Sequence, residues 1–105
     1  MNENSNIFIK KKILIYGLGK SGISTFNFLK KNNYISLFDD NEKIKINKDV
    51  KNKIASSNKI KKTRFDTIIL SPGIDISNFK LKKFLKKNLK IIYTDLDVFH
   101  SFFKN

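Results

Sequence analysis

The 105-residue chain has no cysteine and no tryptophan, one histidine, one proline and four glycines. Without cysteine there can be no disulfide and no thiolate metal site, and His100 alone cannot assemble an imidazole cluster. No apolar run comes near the roughly 20 residues that a membrane-spanning helix needs. Residues 1–6 are polar and lack the charged-then-apolar order of a signal peptide, so a cytoplasmic protein with no membrane partner is expected. Acids are scarce too, with nine against 22 lysines and arginines and a formal net charge of +13. An excess of that size would suit nucleic acid. The lysines, however, are spread along the whole chain among asparagines and isoleucines instead of gathering in one segment. A solvated basic surface is the better reading, with no nucleic-acid partner, and it would still draw in a small anion.

One domain fits this length, and a chain this long removes over roughly 60% of its unfolded surface from water. Residues 12–16 (Lys-Ile-Leu-Ile-Tyr) form a short apolar run that ends at Gly17 and reads as a buried strand. Residues 20–31 follow with Ile23, Phe26 and Leu29 at helical spacing. A second strand is expected at 34–38, ending at Asp39-Asp40-Asn41. The pattern weakens over 42–64, where a short helix, a short strand near Ile54-Ala55 and a lysine-rich connection are expected. Residues 65–70 (Phe-Asp-Thr-Ile-Ile-Leu) make a further strand, stopped by Ser71-Pro72-Gly73. Residues 78–87 are amphipathic, with Leu81, Phe84 and Leu85 on one face. Residues 89–93 make another strand, and 95–103 a closing helix with Leu96, Phe99 and Phe103 aligned. Strands that alternate with helices argue for an α/β fold: a Rossmann-like, doubly wound parallel sheet of about five strands with helices on both faces. Ligands of such sheets sit at the carboxyl ends of the strands.

The segment Gly17-Leu18-Gly19-Lys20-Ser21-Gly22 matches G-x-G-x-x-G directly between a strand and a helix. In that setting the first glycine permits a tight turn, the second lets a phosphate approach the backbone and the third allows helix to pack on strand. Free amides near Lys20 and Ser21 then face an anion with the helix dipole behind them. Gly19-Lys20-Ser21 is not the end of an ATP-binding Walker loop, because the glycine needed five positions earlier is Leu14. An acid about 20 residues after a glycine loop bonds a ribose or accepts from a base N–H; Asp39 and Asp40 stand there. These features alone admit a nucleotide diphosphate or NAD(H).

Three segments in order, 15–22 (Ile-Tyr-Gly-Leu-Gly-Lys-Ser-Gly), 38–41 (Phe-Asp-Asp-Asn) and 70–74 (Leu-Ser-Pro-Gly-Ile), together with 93–99 (Tyr-Thr-Asp-Leu-Asp-Val-Phe), resemble the first domain of the D-glutamate-adding Mur ligases of peptidoglycan synthesis. The resemblance runs from about Lys11 to Phe103, and the Ser-Pro-Gly-Ile turn is its most telling piece. It implies a domain that holds the UDP moiety of UDP-N-acetylmuramoyl-L-alanine. Gly17, Gly19 and Gly22 would shape the loop; Lys20 and Ser21 would present amides, and Ser21 a hydroxyl, to the diphosphate. Asp39 and Asp40 would take the uracil edge with Asn41 beside it, and Ser71, Pro72, Gly73 and Ile74 would line the opposite side. The family's last segment usually begins Gly-Asp and carries Glu-Leu-Phe; here Thr94, Asp97 and Val98 stand in place of the glycine, the acid and the leucine.

The resemblance also implies what is not here. The family's ATP loop, magnesium ligands and reactive lysine belong to a central domain beyond a point equivalent to Asn105, so no cofactor, metal or catalytic residue is expected in this chain. It reads as a single substrate-anchoring domain, a monomer, that cannot ligate by itself. An NAD(H)-binding module of a dehydrogenase or regulatory protein is the rival reading; it accounts for the glycine loop and Asp39 but not for the Ser-Pro-Gly-Ile turn. A nucleic-acid scaffold gives no reason for the glycine loop.

Overall fold

The four residues that follow Lys12 in β1 (Lys12–Tyr16) are all buried, so this strand needs cover on both of its faces. It gets that cover because successive side chains point to opposite sides. Ile13 and Ile15 pack with Phe26 and Leu29, while Leu14 and Tyr16 pack with Ile60, Leu81 and Leu85. A computed structural model describes residues 8–71 and 75–103 of the chain. In sequence order come β1, α1 (Lys20–Leu29), β2 (Tyr34–Phe38), α2 (Lys48–Lys51), α3 (Ser57–Lys62), β3 (Thr67–Leu70), α4 (Lys82–Lys87), β4 (Ile92–Thr94) and α5 (Asp95–Phe103), with 3-10 turns at Ile76–Asn78 and Leu89–Ile91.

The sheet is wholly parallel, in the order β2-β1-β3-β4. From central β1 the chain first moves outward to β2, then returns to the other side for β3 and β4. Helix α1 and Val98 of α5 cover one face, and α3 and α4 the other. This is the doubly wound α/β architecture expected, with four strands in place of five. The missing strand survives as a single bridge between Leu37 and Ile54. Leu37 N–H donates to the Lys53 carbonyl (2.9 Å) and Ala55 N–H to the Leu37 carbonyl (3.0 Å). Pairing stops there because Ser56 already caps α3, its Oγ accepting from Lys59 N–H at 3.1 Å.

Helix α1 passes into β2 through Asn33. Its Nδ2 donates to the Leu29 carbonyl (3.0 Å) and the Phe8 carbonyl (2.8 Å), and its Oδ1 accepts from Lys11 N–H (2.9 Å). One amide side chain thereby satisfies a carbonyl at the helix end and ties it to the segment entering β1.

Other boundaries move for local reasons. Strand β3 begins at Thr67 because Asp66 links back to Lys12, whose amide donates to Asp66 Oδ2 (2.8 Å) and whose carbonyl accepts from Asp66 N–H (2.8 Å). The expected helix over 78–87 begins only at Lys82, and the expected strand over 89–93 opens with the 3-10 turn, in which Ile91 N–H reaches the Asn88 carbonyl at 3.0 Å. The apolar face of α5 also differs from the expected one. Val98 is fully buried and Phe102 packs on the same core, whereas Leu96 is 65% and Phe103 67% exposed. Phe99 and Phe103 instead meet Phe28 of α1 at ring-centroid distances of 5.2 and 5.9 Å. No described helix is long and apolar enough to cross a membrane.

Candidate functional site

The chain order reverses between β1 and β3, and the carboxyl ends of these two strands bring Gly17 and Ser71 together. Gly17 has φ +107°, which L side chains rarely adopt, and a Cβ there would lie 4.0 Å from Ser71 Oγ. Its amide donates to the Phe38 carbonyl at 2.8 Å, linking the turn to the end of β2. A Cβ on Gly22 would lie 1.9 Å from the Gly17 carbonyl oxygen, so the helix packs on the turn only because position 22 is glycine. Gly19 is different: it is exposed, and a Cβ there would meet nothing within 4 Å. The fold needs Gly17 and Gly22, and it leaves the space above Gly19 open.

Helix α1 begins at that open space without a cap. Gly19 supplies no side-chain hydrogen bond, the first turn holds no acid, and the helical ladder opens with Ile23 N–H donating to the Gly19 carbonyl at 3.0 Å. The amides of Lys20, Ser21 and Gly22 precede that bond and have no partner within the helix. Lys20 is exposed beside them. Such an uncapped helix start carries partial positive charge and donors aimed outward.

The acids after β2 are engaged inside the protein. Asp39 accepts from Leu18 N–H (2.6 Å) and from Asn41 N–H (2.7 Å), which ties the glycine loop to the end of the neighbouring strand. Asp40 accepts from the Tyr16 phenol and from Lys80 N–H (3.1 Å), and the phenol oxygen in turn accepts from Leu81 N–H (3.2 Å). Burial, reinforced by the hydrogen bond to Asp40, holds the Tyr16 phenol well above the ordinary tyrosine range. Asn41 Oδ1 accepts from Lys43 N–H at 3.0 Å.

Beyond the end of β2 these three residues line a half-open cleft of about 890 Å³. Ile44, Ile46 and Ile54 give it apolar walls, and Lys43, Lys45, Lys51 and Lys80 add positive charge. Of these seven the sequence singled out only Ile54, and that as a strand residue, not as part of a site. The pattern weakens over residues 42–64, and the lysines there look like the lysines everywhere else in the chain.

Ser21 and Ser71 share a second, narrower crevice at the switch point with Gly17, Gly22 and Asp95, and it has no room for a water molecule. There the Ser21 hydroxyl donates to Asp95 Oδ2. Of the sequence-predicted residues, Gly17, Gly22, Ser21 and Ser71 therefore meet at the strand ends. Gly19 and Lys20 form the open rim. Asp39 braces the loop, and Asp40 and Asn41 face the larger cleft. Pro72, Gly73 and Ile74 lie outside the described residues.

Two of the three positions that depart from the resembling family around α5, Thr94 and Asp97, act as a pair. Thr94 N–H and Oγ1 reach Asp97 Oδ2 at 2.9 and 3.2 Å, and Asp97 N–H reaches Thr94 Oγ1 at 3.3 Å. This reciprocal capping box starts α5 firmly and aims Asp95 toward Ser21. Among the described residues no group of three or more acids and histidines could hold a metal ion.

The chain matches the family described as Mur ligase MurD-like, N-terminal domain, over residues 11–93. It is 32% identical over 106 residues to the UDP-N-acetylmuramoylalanine--D-glutamate ligase of Rickettsia prowazekii, an alignment covering 95% of this chain and 23% of that ligase. It is 39% identical over 99 residues to the ligase of the same name from Buchnera aphidicola subsp. Baizongia pistaciae, covering 88% of this chain and 22% of that ligase. The chain thus spans less than a quarter of the length of these curated relatives. No solved structure matches it.

Proposed function

The chain belongs to the Mur ligase MurD-like N-terminal domain family, and from that premise we propose that it holds the UDP moiety of UDP-N-acetylmuramoyl-L-alanine as the substrate-anchoring domain of an ATP-dependent D-glutamate-adding ligase of peptidoglycan synthesis. The observation that carries the reading is Gly19. It is the one glycine of the loop whose missing side chain the fold does not require, and it lies over three uncapped helix amides. A diphosphate seated there takes hydrogen bonds from the amides of Lys20, Ser21 and Gly22, and the Lys20 ammonium offsets its charge. A side chain at position 19 would occupy the same space.

The uridine half then extends toward Asp39, Asp40 and Asn41. Each carboxylate oxygen has more than one lone pair, so both acids can keep their internal bonds and still accept from a base N–H. Ser71 bounds the other side. The contribution to the reaction is positional: with UDP fixed here, the distant L-alanyl carboxylate is delivered to ATP and magnesium held elsewhere in the ligase, in the cytoplasm. Remote binding of this kind lowers the barrier by removing rotational and translational freedom before the chemical step.

Amide NMR titrations of the chain with UDP-N-acetylmuramoyl-L-alanine and, separately, with NADH test this. The expected result is movement of the Lys20, Ser21, Asp39 and Asp40 amides with the UDP compound alone. Movement with NADH alone would overturn the reading in favour of a dinucleotide module.

A further inference from the structure

Helix α1 brings no acid of its own to its first turn, yet a carboxylate stands beside that turn. It arrives from the end of β4, two strands away from β1: Asp95, the first residue of α5, accepts the Ser21 hydroxyl and the Leu96 amide (3.0 Å). We propose that Asp95 is a specificity-determining residue of the phosphate loop, a fixed negative charge that favours a diphosphate esterified at both ends over nucleotides ending in a free phosphate. The inference rests on the reading of this loop as a diphosphate site.

Two consequences of the geometry support it. First, the Ser21 hydroxyl spends its only proton on Asp95, so toward a ligand it offers lone pairs and not a donor. The donors left for phosphate are the three backbone amides and the Lys20 ammonium. Second, Asp95 lies at the positive ends of two helices, α1 and its own α5, where its carboxylate and an incoming anion would share the same field. Asp39 adds a second negative charge at the base of the loop, so Lys20 is the only cation of the loop itself facing two carboxylates.

Near neutral pH each phosphorus of a doubly esterified diphosphate carries one charge, while a terminal phosphate, with its second ionisation near pH 6, approaches two. The balance of one lysine against Asp95 and Asp39 tolerates the first and repels the second. Nothing in the loop meets the extra charge of a terminal phosphate.

The test compares UDP-N-acetylglucosamine, UDP and UTP binding to the wild-type chain and to Asp95→Asn by calorimetry or NMR titration. Asparagine keeps an oxygen for the Ser21 hydroxyl and removes only the charge. Contacts to the sugar cancel when the two proteins are compared for the same ligand. The substitution is expected to tighten binding in the order UTP, then UDP, then the sugar ester. The difference is about threefold for each added unit of ligand charge in near-aqueous dielectric, and it shrinks as salt is raised. Asp95→Ser, which keeps a polar first residue in α5, gives the same order if the asparagine variant fails to fold. Equal changes for all three ligands, or none, would show that Asp95 only braces Ser21 and would overturn the inference while leaving the loop as a diphosphate site. If no UDP compound binds either protein, the reading of the loop falls and this inference falls with it.

Discussion

The backbone amide of Leu18 donates to Asp39 Oδ2 over 2.6 Å, so the residue between the first two glycines is held by the acid that closes the neighbouring strand. The other oxygen of Asp39 takes the amide of Asn41 at 2.7 Å. Loop and strand end are therefore one hydrogen-bonded unit, and several measurable properties depend on it.

An Asp39→Asn variant has a single acceptor oxygen for two amides, and a neutral one. Losing one charge-assisted bond costs about 1–2 kcal/mol in a urea melt, and the Leu18 amide exchanges with solvent faster. A wild-type exchange rate at Leu18 would show that the carboxylate does not brace the loop.

The glycines separate by substitution. Gly22→Ala drives a methyl to 1.9 Å from the Gly17 carbonyl oxygen, and the backbone shift that relieves it costs about 3 kcal/mol. Gly19→Ala meets no atom within 4 Å, so its thermal midpoint stays close to wild type while UDP-compound binding weakens at least about tenfold, the equivalent of about 1.4 kcal/mol. Tight binding by the Gly19 variant would move the phosphate elsewhere.

Tyr16 ties β1, the end of β2 and the start of α4 through Asp40 and Leu81. Replacing it with phenylalanine leaves the Leu81 amide and Asp40 each short of a partner, at a cost of about 1–3 kcal/mol. The phenol also carries a pH signature. Folding raises its pKa above the ordinary tyrosine value of 10.0, so above about pH 10 the folded chain keeps a proton that the unfolded chain has released. The phenol's contribution is fully present below about pH 10 and is lost as pH climbs from there toward the folded value. Denaturant midpoints measured from pH 8 to 11 should fall more steeply in the wild type than in Tyr16→Phe. All other ionisable groups are common to the two proteins and drop out of the difference.

On α5, Val98→Ala empties a fully buried position and should cost about 2 kcal/mol, while Leu96→Ala, at 65% exposure, should stay within about 0.5 kcal/mol. The reverse ranking would mean that the helix is rotated on the sheet.

The bounds of β1 and β2 could be read from the sequence because each is a dense apolar run with a sharp stop, at Gly17 and at the Asp39-Asp40 pair, and those of α5 from its apolar spacing. The face of α5 could not be read. Leu96, Val98, Phe99, Phe102 and Phe103 spread apolar side chains around the helix, and only the packing of Phe28 against Phe99, Phe102 and Phe103 decides which of them meet the neighbouring helix. The glycine loop and its acids were legible from spacing. The cleft beyond β2 was not, since Ile44, Ile46 and Ile54 are brought to it by an irregular connection whose geometry is set by contacts with distant parts of the chain. Asp95 escaped for the same reason: its relation to Ser21 exists only once β4 has been laid beside β3.

The lone bridge at Ile54 has a meaning for solubility. An open parallel sheet has two borders where unpaired backbone groups could recruit a strand from another molecule. On one border, the Leu37 amide and carbonyl are already taken by Lys53 and Ala55. The other border is β4, three residues long and followed at once by a capped helix. Neither offers the long flat template on which chains add edge to edge, and the surrounding lysines repel a second copy before it can align. What is lost as a fifth strand is gained as protection against aggregation.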